Sequence, residues 1–251
     1  MNSEELQQHF SQLSTAWTAL AQARAGPEDA AAQAAVRYLL DRYGTPVYRY
    51  LLGALRSRDA ADECYQEFAL RLVRGDFKGA NPQRGRFRDF LKTSLYHLIV
   101  DHQRRQRRRP VPLSTDAPAP AAADLMAAES DRAFLAAWRA ALLERAWQAL
   151  AEYERQTGQP LYAVLRLRAE RPELRSAQLA AELAARQGQP VSDTWVRKRL
   201  HFARQKFADL LLAEVSRSLN EPTADDLAEE VRELGLLDYC RAALERRRDE
   251  R

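Results

Sequence analysis

Apolar residues recur along most of this chain at spacings of three and four, the signature of helices with one buried face. Leu6, Phe10, Leu13 and Trp17 form the first such series, and Gly26-Pro27 breaks it. Val36, Leu39, Leu40 and Tyr43, then Val47, Tyr48, Leu51, Leu52 and Leu55, continue the pattern, with a bend expected at Gly44-Thr45-Pro46. Ser57 or Asp59 can cap the next helix, which buries Cys64, Phe68 and Leu72 and ends at Gly75. A loop from Lys78 to Arg86 leads into a helix from about Phe87, with Phe87, Leu91, Leu95, Leu98 and Ile99 apolar and a stop at Pro110.

Pro110, Pro112, Pro118 and Pro120 among many Ala then mark a partly extended linker to about Glu129, the best domain boundary in the chain. Beyond it, Phe134, Leu135, Trp138, Leu142, Leu143, Trp147, Leu150 and Tyr153 predict a long amphipathic helix, and Leu161 to Arg168 a second. A short pair follows, Ser176 to Gln187 and Ser192 to about Leu219, split by Gly188-Gln189-Pro190. An acidic helical tail lies past Pro222. No stretch alternates as a strand does, and no internal repeat is evident. The expectation is an all-α protein of two helical domains joined by a Pro/Ala-rich linker. Its parts are an N-terminal helical extension (1–30), a helical bundle (31–109), the linker (110–130), a helix-turn-helix domain (131–219) and a C-terminal extension (220–251).

Composition agrees with helix: 9 Gly in 251 residues, abundant Ala, Leu, Arg, Glu and Gln. The net charge of +4 hides an uneven distribution. Lys78 to Arg109 holds ten Lys/Arg against two Asp, a net of +8, whereas Glu221 to Arg251 is −4. A basic middle points to a polyanion partner. Cys64 and Cys240, far apart and in no CxxC pattern, fit a reducing compartment. No run is long enough to span a membrane and no signal peptide opens the chain, so the cytoplasm is expected. The His, Cys and carboxylates form no metal or triad spacing, so neither an enzyme nor a bound cofactor is expected.

The pair from Ser176 to Leu212 reads as a helix-turn-helix. Leu179, Ala180, Leu183 and Ala184 give the first helix a close-packing face, and Ser192 sits where an N-cap belongs. The second helix buries Val196, Leu200, Ala203 and Phe207 and turns out Trp195, Arg197, Lys198, Arg199, His201, Arg204 and Lys206. Asp193, Trp195, Arg197 and Lys198 at its amino-terminal end are placed to meet a major groove; a basic helix that merely packs would share the pattern. In the first half, Lys78, Arg84 and Arg86 surround a Gly/Asn/Pro turn beside Phe87 and Phe90, suited either to single-stranded bases or, for the aromatics, to core packing. Asp59, Asp62, Glu63, Gln66 and Glu67 share one helical face, either as favoured acids at a helix amino terminus or as a docking face for a basic partner. In the tail, Asp225, Asp226, Glu229, Glu230 and Glu233 could mask a basic DNA-binding face, or Leu227, Val231, Leu234 and Leu236 could pack it as a helical cap.

These residues carry a family resemblance. Tyr43 to Tyr50, Asp59 to Glu63 with Gln66-Glu67-Phe68, and Asn81 to Leu91 running into Asp101 to Arg105 resemble region two of extracytoplasmic-function (ECF) sigma factors. Ser192 to Arg204 resembles the recognition helix of region four, with Trp195 in place of a small residue. The resemblance implies that Asp59, Asp62, Glu63, Gln66 and Glu67 face the β′ clamp helices of core RNA polymerase. It implies that the loop Lys78, Asn81, Arg84, Arg86 takes a flipped base of the minus-ten element. Arg88, Lys92, His97, Asp101, His102 and Arg105 would flank the melted non-template strand. Ser192, Asp193, Thr194, Trp195, Arg197, Lys198, Arg199, His201 and Arg204 would read the minus-thirty-five duplex, with the β flap as a further contact. Regulation by an anti-sigma factor or a Ser/Thr kinase fits the family. The competing reading is a stand-alone helix-turn-helix regulator, which leaves the acidic face and the cationic loop without a role.

Overall fold

The computed structural model describes residues 15–77, 79–108 and 120–249. Among them are ten α-helices, one short 3-10 turn and no strand, so the all-α expectation holds. The series Leu6, Phe10, Leu13, the loop residue Lys78 and the prolines 110, 112 and 118 lie outside the described residues. No helix among the described residues is long and apolar enough to cross a membrane. The chain divides into two compact units: residues 1–141 with 216–221, and residues 142–215 with 222–251.

The first unit begins with α1 (Ala16–Ala23), capped by Thr15, whose Oγ1 accepts from Thr18 N at 3.1 Å. Helix α2 (Ala30–Leu55) is capped by Asp29, which accepts from Ala32 N at 2.7 Å. The bend expected at Gly44-Thr45-Pro46 does not occur, and α2 runs through it. Pro46 cannot donate the usual helix bond, but Tyr43, Gly44, Pro46 and Val47 are all buried, so packing holds the turn in place. Gly44 serves close approach instead. A Cβ there would stand 2.5 Å from the Tyr65 hydroxyl of the neighbouring helix.

Helix α3 (Arg58–Val73) is capped by Ser57, through Ala60 N at 3.3 Å, and buries Ala61, Cys64, Phe68 and Leu72. Gly75 follows with φ +69° and ends the rise. A 3-10 turn (Pro82–Arg84) is capped by Asn81, and α4 (Phe87–Arg108) follows with Phe87, Leu91, Leu95, Leu98 and Ile99 buried as patterned.

Helix α5 (Pro120–Thr157) begins inside the expected linker. Pro120 takes the first helical position, where its missing N–H costs nothing, and the Ala-rich run after it favours helix. Residues 131–141, assigned from sequence to the second domain, belong to the first unit. Their aromatic face explains why. Phe134 packs edge-on against Tyr50 at 5.2 Å, and Trp138 stacks on Tyr43 at 5.0 Å. Tyr43 also meets Phe87, and Phe87 meets Trp17 edge-on at 5.4 Å, so α1, α2, α4 and α5 share one aromatic cluster. Segment 216–221 joins this unit through Ala16 N, which donates to the Arg217 carbonyl at 2.8 Å.

The second unit holds the rest of α5, then α6 (Leu161–Glu170), α7 (Ser176–Gln187) and α8 (Asp193–Ser216). Its core includes Leu142, Leu150, Leu167, Leu179, Val196, Leu200 and Leu211. Trp147 packs on Phe207 at 4.8 Å, and Arg145 Nε donates to the buried Glu214 at 3.1 Å. Helices α9 (Ala224–Glu233) and α10 (Leu237–Asp249) close the chain. A capping box starts α9: Thr223 Oγ1 accepts from Asp226 N at 3.2 Å, and Asp226 accepts from Thr223 N at 2.9 Å.

Candidate nucleic-acid interface

Cap Ser57 and the buried stripe of α3 turn its other side outward. Asp59 and Gln66 are exposed there, and Glu63 is half exposed. Asp62 is drawn toward α2, accepting from the Tyr48 hydroxyl at 2.7 Å, and that bond raises the Tyr48 pKa. Glu67 accepts from Arg71 Nε at 2.9 Å. Leu70 and Val73, both exposed, continue the same side. The spacing 59-63-66-70-73 is one helical stripe, acidic at its start and apolar at its end. The sequence reading missed the apolar end, although the alternating steps of four and three were there to find.

The loop after α3 is built for shape. Asn81 Oδ1 accepts from Gln83 N at 2.9 Å, and Gly85 takes φ +136°, a conformation other residues avoid. Phe87 and Phe90 are not an open stacking platform. Phe87 is buried, and half-buried Phe90 lies between Trp17 at 5.5 Å and Phe77 at 5.7 Å. Arg86 is half-buried.

Helix α4 sorts the sequence candidates into two groups. Arg88 (5% exposed) and His102 (3%) point inward, against the expectation that they flank a strand. Their positions fall on the stripe of Leu91, Leu95, Leu98 and Ile99, which the core claims. His102 Nδ1 lies 3.7 Å from Glu63 Oε1, an approach of α4 to α3. Lys92 is held by Asp131 of α5 at 2.9 Å. His97, Asp101, Arg104 and Arg105 remain exposed, and so does Tyr96 (55%), which stands beside His97. Tyr96 is an aromatic that faces out beside His97 on this Arg-rich helix, whereas the sequence reading singled out Phe87 and Phe90.

An acidic α3 stripe, a glycine-shaped loop and a basic α4 thus follow one another in a single compact unit. Residues 39–109 match the family model of sigma-70 region 2. That match supports a sigma-70 family member with a sigma-factor role in transcription initiation, and region 2 implies core RNA polymerase and promoter DNA as partners. The region-2 match takes in most of α2, all of α3, the loop and α4; α1 and the whole second unit lie outside it. No curated protein and no solved structure matches the chain.

The second unit presents a separate basic surface. Gly188, at φ +68°, ends α7, and Ser192 Oγ caps α8 by accepting from Trp195 N at 3.2 Å. Val196, Leu200, Ala203 and Phe207 are buried as patterned. Ser192, Thr194, Arg197, Lys198, His201 and Arg204 are exposed on the opposite side, with Asp193 half-buried. Arg197 pairs with Asp193 at 3.0 Å and also donates to Thr194 Oγ1 at 3.1 Å. Arg199 lies over the Trp195 ring, 5.5 Å from its centroid, and Lys206 over Tyr153 at 4.2 Å. Phe202 (53% exposed) stands among these cations and was also missed, since an apolar residue beside buried positions reads as core.

The tail carries a buried apolar face beside its acids. Leu227, Val231, Leu234, Leu236, Cys240 and Leu244 are buried, and so is Glu230. Asp226 serves the α9 cap and Glu229 pairs with Arg232. Arg246 of α10 pairs with Asp209 of α8 at 2.7 Å, beyond the basic stretch. Leu227, Val231, Leu234 and Leu236 are packed, as a helical cap requires.

Proposed function

We propose that this protein is an ECF-type sigma factor that binds core RNA polymerase, recognises the minus-ten and minus-thirty-five elements and promotes promoter melting. The observation that carries the reading is the order of features in the region-2 segment, with docking stripe, shaped loop and basic helix in one unit and a capped helix-turn-helix in a second. Asp59, Asp62, Glu63, Gln66 and Glu67, extended by Leu70 and Val73, form the docking face for the β′ clamp helices. Asn81 and Arg86 belong to the loop that holds an unpaired base. His97, Asp101 and Arg105, joined by Tyr96 and Arg104, line the melted non-template strand, where aromatic stacking and phosphate pairing are the available chemistry. Arg88 and His102 support this surface from inside. Ser192, Asp193, Thr194, Trp195, Arg197, Lys198, Arg199, His201 and Arg204 face the minus-thirty-five duplex, with phosphate contacts setting register and Arg suited to guanine edges. The β flap is a further contact of this second unit, and the cytoplasm is the compartment this role requires.

The test is in vitro transcription with purified core polymerase on a promoter library, paired with a pulldown of core by the free chain. Start-site-specific transcripts are expected. Asp59→Lys with Gln66→Lys, both exposed, should abolish core capture while duplex binding persists. A chain that binds duplex DNA but never core polymerase is the stand-alone regulator instead.

A further inference from the structure

Helix α1 precedes the region-2 match, yet it is fastened to the loop between α3 and α4. We infer that Arg24, the residue closing α1, is a positioning residue for base selection by that loop. The inference rests on the reading that this loop takes an unpaired promoter base.

Three contacts converge on the junction. Arg24 Nη2 donates to two loop carbonyls, Phe77 O at 2.9 Å and Ala80 O at 2.7 Å. Ala80 N also donates to Phe77 O at 3.2 Å, so one guanidinium nitrogen closes a turn that the backbone has already begun. Gly75, at φ +69°, brings its chain against the same residue, and a Cβ there would stand 3.0 Å from Arg24 Cα. Finally, Trp17 of α1 packs on Phe87 and Phe90, where α4 leaves the loop. The loop is therefore held at its entry, its turn and its exit by one helix. A short, glycine-rich segment has many conformations to lose, and a charged donor shared by two carbonyls removes several of them before any base arrives. The contacts come from a helix that region 2 itself does not include, so they are a property of this chain. Arg24 is exposed, and its replacement leaves the aromatic cluster intact.

The experiment uses the full chain with purified core polymerase and a pool of random single-stranded DNA, sequencing the bound fraction, alongside hydrogen exchange on the free chain. Arg24→Ala should raise exchange at the Ala80 amide and lower discrimination at the selected base by about tenfold, the size expected for a charged hydrogen bond. The melting temperature and duplex binding should stay unchanged. Arg24→Lys, which keeps a donor, should recover part of the discrimination, and Arg37→Ala, an exposed charge on α2, should lose none. Wild-type discrimination retained in full by Arg24→Ala overturns the positioning role and leaves the loop reading standing. A wild type that selects no base overturns the loop reading and the positioning role together.

Discussion

The indole of Trp138 lies flat on the ring of Tyr43, with centroids 5.0 Å apart and planes inclined by 10°. The pair joins α5 to the middle of α2, inside the region-2 match, from a residue 29 positions beyond its end. Both rings are almost wholly buried, and the Trp138 N–H has no hydrogen-bond partner, so area and stacking supply the attraction.

Trp138→Ala should therefore destabilise the first unit by about 3–5 kcal/mol, the range for large aromatic truncations in a core. Trp138→Phe should cost much less, because it loses no hydrogen bond. Urea unfolding of the full chain followed by circular dichroism reads both. A chain ending at residue 130, where the expected linker stops, should be less stable than one ending at 145. A loss below about 1 kcal/mol for Trp138→Ala would place the rings in accidental contact.

On α8, Lys198 and Arg204 are exposed, while Arg197 is partly neutralised by Asp193 and Arg199 is laid on Trp195. Lys198→Ala and Arg204→Ala should each weaken duplex binding across all sequences and lower the salt slope by about 1, as expected for a lost phosphate contact. Ser192→Ala removes the cap and should cost about 1 kcal/mol of stability with a smaller change in salt slope. Fluorescence anisotropy across a salt series separates the two effects. An unchanged slope for both cation variants would remove this face from the DNA interface.

Much of this architecture was legible because helices announce themselves by period. The buried stripes of α3, α4 and α8 were read residue by residue, and the bounds of α7 fell at Ser176 and Gln187. The failures share a cause, which is tertiary packing overriding a local signal. Pro46 is a helix breaker that buried neighbours keep in line. Pro120 and the alanines after it read as linker, yet they open a helix whose later aromatics belong to the first unit. Arg88 and His102 look like surface residues by type, but the angular position set by Leu91, Leu95 and Leu98 sends them inward. Tyr96 and Phe202 are the reverse case, aromatics whose type suggests core and whose position is outside. Arg24 carried no signal at all, because its partners are backbone carbonyls 53 and 56 residues away.

Burial sets the chemistry of the two free cysteines. Desolvation, aided by Glu63, pushes the Cys64 thiol up to about 11, and desolvation, aided by Asp209, pushes Cys240 up to about 12. Both thiols are thus protonated at neutral pH and poor nucleophiles. Thiol-disulfide exchange with an aromatic disulfide reagent should label neither in the native chain and both in urea. The folded pKa values lie above the ordinary 9.0. Their stabilising effect is therefore whole below pH 9 and declines as pH climbs toward 11 and 12. Rapid labelling of native Cys240 would show that α10 opens easily.

The tail offers the sharpest contrast between two kinds of contact. Val231 is completely buried in α9, so Val231→Asp forces a charge into an apolar site and should cost more than about 3 kcal/mol. The Arg246–Asp209 pair is partly exposed on both sides, so Arg246→Ala should cost less than about 1 kcal/mol. Removing residues 222–251 strips these buried partners from the second unit. It should lower the melting temperature and solubility without raising affinity for duplex DNA. Differential scanning calorimetry and anisotropy on the same samples check both halves. A truncated chain that melts as the full one does, yet binds duplex more tightly, would make the tail an electrostatic mask, because acids that contribute no packing could act only through charge.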